Sequence, residues 1–371
     1  MTKVVKNIEV FQMMEAWAPK KLAYDWDNVG LQIGSFQKPV RKVMVTLDVL
    51  ESVVDEAVEK DVNLIIAHHP FMFKPMKQLN TDSPKGRIIH KLLQNDITVY
   101  ASHTNLDAAP GGVNDMLCDL LGVDDRETLI RTYTEQLYKL AVYVPLTHVD
   151  AVRNALSNAG AGHIGNYSHC TFQTEGQGTF KPLEGTNPHI GTQEKLEYVD
   201  ELKIETIIEQ SKLNSIVQAM IKSHPYEEVA YDVYPMKNEG QAYGIGKIGN
   251  LNEQKSLQAL CEQVKTAFDV PFVRVTGDLT KKVKKVAVLG GSGEKYIHKA
   301  KEMGADVYIT GDMTFHPAQD AWQMDLSVID PGHYIEKVMK KATKQYLDQQ
   351  LRDKNIEVIV SEANTEPFQF L

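Results

Sequence analysis

The sequence is short of cysteine, of long apolar runs and of positive charge. Its three cysteines, Cys118, Cys170 and Cys261, stand apart from one another, which leaves no CxxC zinc or redox spacing. So low a count fits a reducing compartment. No apolar run approaches ~18 residues, so no transmembrane helix and no membrane partner are expected. The opening stretch "MTKVVKNIEVFQMMEAWAPK" has charges at positions 3 and 6 but no apolar h-region, so it does not read as a signal peptide. A cytoplasmic protein is the expectation. Lys and Arg number 40 against 49 Asp and Glu, a net charge of −9. That disfavours nucleic acid and anionic membranes as partners, a local basic patch aside.

What is present is ordinary for a globular protein: 371 residues, 43% hydrophobic and 24% charged. The length suggests two domains, or one large domain with an insertion. "IEVFQMMEAW" has helical spacing of apolar residues, and "DWDNVGLQIG" is a turn followed by a short apolar run. From there "KVMVTLDV", "VNLIIAHH" and "ITVYASHTNLD" read as strands, separated by the helices "ESVVDEAVEKD" and "GRIIHKLLQND". This alternation predicts right-handed crossovers and a mainly parallel sheet. The helix "GGVNDMLCDLLG" closes at Gly122.

The texture changes near Arg131. Over residues 131–236 the order is strand, helix, strand, strand, helix, strand, the split βαβ or ferredoxin-like pattern. Afterwards the first texture returns, with "VKKVAVLGGSGEKYIHKAKEMGADVYITGD" as strand, Gly-rich turn, helix and strand, then "LSVIDPGH", a helix from "YIEK" and the final strand "IEVIVSEANTEPF". The expected fold class is α/β: two α/β halves with mainly parallel sheets form one discontinuous domain, 1–130 and 237–371, and an inserted ferredoxin-like α+β domain occupies 131–236.

The chemistry collects at strand ends, where open α/β sheets bind ligands. "NLIIAHHPFMF" runs a buried strand into His68, His69 and Pro70. In an ideal strand the two histidines point to opposite faces, but Pro70 ends regular pairing and lets the backbone splay them. Alone, the pair reads as one core histidine beside an exposed one. "VYASHTNLDAAPGG" brings His103 and Asp107 to a neighbouring tip, although a turn or helix-cap aspartate also fits the latter. "SVIDPGHYIEKVMKK" adds His333 and Glu336, three apart at a helix start and so on one face. Glu336 equally suits the helix dipole. Together the tips supply three or more histidines and two carboxylates, more than one metal needs and enough for a two-metal site with ions about 3.5–4 Å apart. In "YITGDMTFHPAQDA", Asp312 and His316 are candidates to orient metal-bound imidazoles or to act as an acid/base pair. "GGSG" opens a helix, where backbone amides can hold phosphate, but it is neither a dinucleotide fingerprint nor a Walker loop. A tight strand-to-helix connection explains it equally well. In "IKSHPYEEVAYDVYP", His224, Glu227 and Glu228 read as a strand start beside a turn, and His163, His169 and His189 are scattered.

The stretches "WDNVGLQIG", "IIAHHPFMF", "ASHTNLDAAPGGVND", "VAVLGGSGEKYI", "YITGDMTFH", "DPGHYIEK" and "EANTEPF" resemble, in order, those of the NIF-three (NGG-one-interacting factor) family, the GTP cyclohydrolase I type 2 homologs. Residues 131–236, with "HPYEEVAYDVYP", look like the PII/CutA-like insert of its long bacterial form, the YqfO type. The resemblance implies two divalent ions per subunit, zinc first and Fe, Mn, Co or Mg as alternatives, held by His68, His69, Asp107, His333 and Glu336. It also implies a toroidal homohexamer with its metal sites facing an internal cavity. Many short-form members space the last pair H-x-x-x-E; here it is H-x-x-E, so the helix start must adjust to keep Glu336 on the metal.

Two functions follow as expectations. One is a metal-dependent hydrolase in which a hydroxide bridging the two ions attacks a nucleotide or related small molecule, with His103, Asp312 or His316 moving protons. The other is a non-enzymatic metal-binding regulator or metal chaperone whose insert senses a ligand.

Overall fold

A computed structural model describes residues 4–369. The chain divides into two compact units, Met1–Tyr133 with Tyr243–Leu371, and Thr134–Ala242. In chain order the elements are α1 Asn7–Trp17, β1 Gly30–Ile33, β2 Lys42–Thr46, α2 Glu51–Glu59, β3 Leu64–Ala67, α3 Pro84–Gln94, β4 Thr98–Ala101, α4 Thr104–Ala108 and α5 Val113–Leu121. Then come β5 Val123–Pro145, α6 Val149–Asn158, β6 Thr171–Phe180, β7 Glu197–Glu209, α7 Leu213–Ser223, β8 Tyr231–Ser256, α8 Leu257–Phe268 and β9 Arg274–Thr276. The chain ends with β10 Lys282–Ser292, α9 Ile297–Glu302, β11 Val307–Gly311, α10 Phe315–Gln323, β12 Ser327–Asp330, α11 Val338–Leu351 and β13 Glu357–Val360.

The first sheet of the larger unit runs β1-β4-β3-β2-β13. All its pairings are parallel except β1 with β4. Its inner strands are buried on both faces, which is why they read as continuous apolar runs. Val45, Leu64, Ile66 and Tyr100 face one hydrophobic cluster, while Met44, Ile65 and Val99 face the other, where Val54, Ile89 and Leu92 of α2 and α3 cover them. Local signals match the boundaries. Ser83 Oγ accepts from Gly86 N (3.1 Å) to cap α3, with Pro84 in its first turn. Gly122, at φ 61°, ends α5 in the left-handed region.

The second sheet departs from expectation. In the larger unit β5, β8, β10, β11, β12 and β9 lie in that order, and β10-β11 and β11-β12 are parallel. Among the pairings described, β8 joins β10, and β9 joins β12, antiparallel, so this half is mixed. The last strand also belongs elsewhere than the second half: after α11 the chain returns to pair β13 parallel to β2 of the first sheet. "ITVYASHTNLD" is not one strand, since β4 stops at Ala101 and α4 begins at Thr104. The break has a cause in side chains: Asn105 Oδ1 accepts from His103 N (2.9 Å), and Asp27 Oδ2 accepts from Thr104 N (3.1 Å).

The smaller unit has the order strand, helix, strand, strand, helix, strand, with sheet order β6-β7-β5-β8. α6 and α7 pack on it through Val152, Leu156, Ile216 and Met220. His224 is a structural residue here: Nε2 donates to Tyr143 O (2.9 Å) and Nδ1 accepts from Tyr226 N (3.2 Å), which fixes its tautomer. The three cysteines are unpaired, and burial pushes the Cys118 thiol up to about 12. Among the described residues no helix is long and apolar enough to cross a membrane.

The C-terminal "EANTEPF" is strapped to α2 by Glu56. Its carboxylate accepts from Ser361 Oγ (2.6 Å), Glu362 N (3.0 Å), Ala363 N (3.2 Å) and Lys60 Nζ (2.8 Å). Burial alone would raise this carboxyl, but those donors outweigh it and hold it at about 2, against 4.5 for a free side chain. A lowered folded value means stability that is complete above pH 4.5 and lost as pH falls toward 2. Glu56→Gln is therefore expected to lower stability by about 1–2 kcal/mol at pH 7, allowing for the partly exposed Lys60. The gap to the parent, read from urea midpoints, should close between pH 4.5 and 2. A gap independent of pH would show that packing, not charge, holds the strap.

Candidate metal centre

Parallel register brings the strand ends to a common rim. Thr46, Ala67 and Ala101 stand opposite one another at the ends of β2, β3 and β4. The residues just beyond are therefore neighbours: Asp48, His68 with His69, and Ser102 with His103. Past the end of β3 the backbone stays pinned, His68 N donating to Thr46 O (3.2 Å) and His69 N to Leu47 O (3.0 Å). The two imidazoles do not oppose each other across the sheet; their centroids lie 5.1 Å apart. From the second sheet, a 3₁₀ turn at His333–Lys337 follows β12. Three residues per turn eclipses positions i and i+3, so H-x-x-E spacing sets both side chains on one line. His333 Nε2 lies 3.1 Å from Glu336 Oε2.

Every imidazole is fixed through Nδ1 and turns Nε2 inward. His68 Nδ1 donates to Ser102 O (2.9 Å), and His69 Nδ1 meets Asp48 Oδ1 (2.6 Å). His103 Nδ1 meets Asp27 Oδ1 (3.0 Å), and His333 Nδ1 meets Asp312 Oδ2 (2.7 Å). Such outer partners set the tautomer and aim of a ligating histidine. Thr365 Oγ1 donates to Asp48 Oδ2 (2.6 Å), which links the C-terminal strap to His69. On the inner side, Glu336 Oε2 is 3.0 Å from His69 Nε2 and 3.8 Å from His68 Nε2, which is 3.5 Å from Asp107 Oδ1.

The electrostatics follow from this crowding. Burial drives His68 down to about 3, so it stays neutral. A carbonyl can only accept, so its proton sits on Nδ1 and Nε2 carries a bare lone pair. That atom and Asp107 Oδ1 are buried and have no hydrogen-bond partner among the described residues. Burial, and then the Glu336 charge, push Asp107 well up. Burial opposes ionisation of Glu336, yet hydrogen bonds from His333 and His69 carry it well below the usual carboxylate range. Burial likewise disfavours charge on His69 and His333, but their carboxylate partners hold them up at about 9 and about 11. His69 and His333, so held, balance Glu336, while His68 Nε2 and Asp107 Oδ1 are left facing each other without a proton donor between them and so offer donor atoms to a cation. Three overlapping groups have ligand atoms within 4.8 Å of one another: His68, Asp107 and Glu336; His69, His333 and Glu336; His68, His69 and His103.

The five residues of the expected ligand set thus share one cluster, and His103 joins it. Asp312 lies behind His333. His316 lies apart on the exposed face of α10, where its ring meets Gln319 Oε1 (3.3 Å). Asp48 and Asp27 were not singled out from the sequence; each follows a strand or turn as many aspartates do, and only tertiary contact marks them. "GGSG" takes its meaning from clearance. A Cβ on Gly291 would stand 2.8 Å from Glu336 Oε1 and 3.3 Å from His333 Nε2.

The sequence model of Duf34/NIF3 (NGG1p interacting factor 3) matches residues 5–367. The chain belongs to the Duf34/NIF3 family. Two relatives named GTP cyclohydrolase 1 type 2 homolog, from Halalkalibacterium halodurans and Bacillus subtilis, are 53% and 52% identical, with both chains covered in full. A solved Bacillus cereus protein related to NIF3 superposes with TM-score 0.95 at 50% identity, again over the whole of both chains. This Duf34/NIF3 chain therefore has close relatives along its entire length, the smaller unit included. Its cluster borders a cavity of about 490 Å³ whose walls include Tyr24, Trp26, Phe73 and Lys295.

Proposed function

We propose that this chain binds two divalent metal ions at the cluster and is a metal-dependent hydrolase of a nucleotide or related small molecule. The observation that carries the reading is the orphaned His68 Nε2 beside the orphaned Asp107 Oδ1, both sealed from water. The residues that would hold the ions are His68, His69, Asp107, His333 and Glu336, and Glu336 belongs to two of the three ligand groups. Imidazole with carboxylate suits zinc first, then Fe, Mn or Co, with Mg favoured least. Such a pair, when bound, supplies Lewis acidity and a water activated near neutral pH. The protein's own part is orientation. Asp48 and Asp312 hold His69 and His333 in their tautomers, and Asp27 leaves His103 Nε2 turned to the cavity as a proton carrier. The family likeness supports a homohexamer, which sedimentation of the purified protein would check.

The test is metal content with turnover. The purified chain is expected to hold about two divalent ions, by analogy with two-metal sites. His333→Ala, at the more exposed end of the cluster, should strip metal while the far-UV dichroism stays unchanged. Full occupancy in the His68→Ala, His69→Ala double variant would end the assignment. Against a panel of nucleotides and phosphoesters, metal-dependent turnover lost in His69→Ala supports catalysis.

The second reading is a non-enzymatic metal-binding regulator or chaperone. The strand order of Thr134–Ala242 favours it, since that order suits a ferredoxin-like, PII/CutA-like sensing unit. Tyr133 and Tyr243 have ring centroids 6.1 Å apart, so a short linker can replace the insert. Ligand-dependent thermal shifts that vanish on this deletion, with no turnover, would favour regulation.

A further inference from the structure

We propose that the cavity beside the cluster seats a planar heteroaromatic ligand bearing an anionic group, its ring stacked on Trp26 and its anion on Lys295. The proposal rests on reading that cavity as the substrate site. Three aromatic rings gather at its wall. Trp26 stacks on Tyr24 (5.4 Å, 14°), and Phe73 meets Trp26 edge-on (5.7 Å, 60°). Yet Trp26 remains 54% exposed and Phe73 46% exposed. Large aromatic surface left in water at a cavity mouth is what a stacking ligand covers.

The shelf is rigid and joined to the cluster. Tyr24 N donates to Thr104 Oγ1 (3.1 Å), and Thr104 Oγ1 donates to Asp27 Oδ2 (2.5 Å). Asp27 is the carboxylate that holds His103. The Tyr24 hydroxyl meets that of Tyr296 (3.1 Å), and Trp26 lies 6.2 Å from the His103 ring. Tyr24 covers one face of Trp26, so a ligand ring takes the other, on a shelf whose Trp26 ring stands 6.2 Å from the His103 imidazole.

Charge decides the ligand's sign. Aromatic cages also take cations. Here Lys295 Nζ already occupies that role, 4.9 Å from the Tyr296 centroid and 6.0 Å from that of Tyr24. Among the described residues it has no acidic partner, and it lies on the cavity wall. The cavity's carboxylates, Asp107 and Glu336, are gathered in the histidine cluster, so at the aromatic edge an ammonium group meets Lys295, whereas a phosphate or carboxylate gains an ion pair there.

Three probes separate the parts: GTP carries ring and anion, guanosine the ring, ribose 5-phosphate the anion. Binding is measured by calorimetry on the metal-loaded full chain. GTP should bind at least about tenfold tighter than either fragment. Trp26→Leu should weaken GTP and guanosine about tenfold, in keeping with base–aromatic stacking, and leave ribose 5-phosphate unchanged. Lys295→Gln should weaken GTP and ribose 5-phosphate and leave guanosine unchanged. Parent-like GTP binding in Trp26→Leu, or no binding of guanosine or GTP to the parent, overturns the proposal. Failure of the hydrolase reading looks different: the binding pattern appears, but no probe is turned over and metal content does not matter.

Discussion

Replacing Glu336 with glutamine is expected to weaken divalent-ion binding roughly 10²–10⁴-fold, the scale of the ~3–5 kcal/mol lost when one member of a buried ion pair is removed. Glu336 is 3% exposed, and one of its oxygens lies 3.0 and 3.1 Å from two imidazole nitrogens on separate strand ends. No other carboxylate of the cluster belongs to two of its ligand groups. Glutamine keeps the shape but offers one neutral oxygen, so both ligand groups that contain Glu336 lose a charge at once. Aspartate keeps the charge but withdraws it by a methylene, and should restore only part of the affinity. Asp48→Asn and Asp312→Asn leave every ligand in place and disturb only its aim, which typically costs 10–100-fold. The ranking is thus Glu336→Gln worse than either, read by competition with a chromogenic chelator. Equal retention of metal by the glutamine variant would remove Glu336 from the centre.

Why the cluster was largely legible in the sequence, and its support was not, comes down to range. His68, His69, His103 and His333 each lie within four residues of the end of a short apolar run, and β-strand ends in open α/β sheets are where ligands gather. That inference needs only local pattern. Asp48 and Asp27 act on histidines 21 and 76 residues away, and nothing near either one announces the pairing. The H-x-x-E spacing, one residue shorter than the H-x-x-x-E of many short-form members, called for an adjusted helix start. A 3₁₀ turn, with three residues per turn, removes the discrepancy. His316 failed for the opposite reason: the strand-tip rule placed it near the site, but α10 carries it outward.

The fold shows the same division. β2, β3 and β4 are buried on both faces and declare themselves as apolar runs. β8 includes "MKNEGQAYGIGKIGN", rich in the Gly, Asn and Lys that strands disfavour, yet all of it is strand, and Lys247 to Asn250 pair with β10. Pairing partners, not side-chain pattern, make that segment a strand. The return of β13 to the first sheet is likewise a tertiary choice, since a parallel strand suits either sheet by composition.

Gly291→Ala is expected to have the second-largest effect, and it tests whether the Gly-rich turn exists for clearance. The backbone there has no room to retreat. Gly290 N donates to Asn114 Oδ1 (3.0 Å), Asn114 Nδ2 donates to Asp107 O (2.9 Å), and Thr310 Oγ1 donates to Gly291 O (3.1 Å). The new methyl, 2.8 Å from Glu336 Oε1, must therefore displace the carboxylate. Metal affinity should fall at least about tenfold, the lower end of what a misaimed ligand costs. A left-handed alanine also costs about 1–2 kcal/mol of stability wherever it occurs. Gly165 supplies the control: its φ is +56°, close to the +64° of Gly291, but nothing lies within 4 Å of the added methyl. Gly165→Ala should show the stability loss alone, by urea midpoint, with metal content intact. If both variants bind metal like the parent, the turn has no steric part in the centre, and the close approach of Gly291 to Glu336 is only a consequence of a tight strand-to-helix connection.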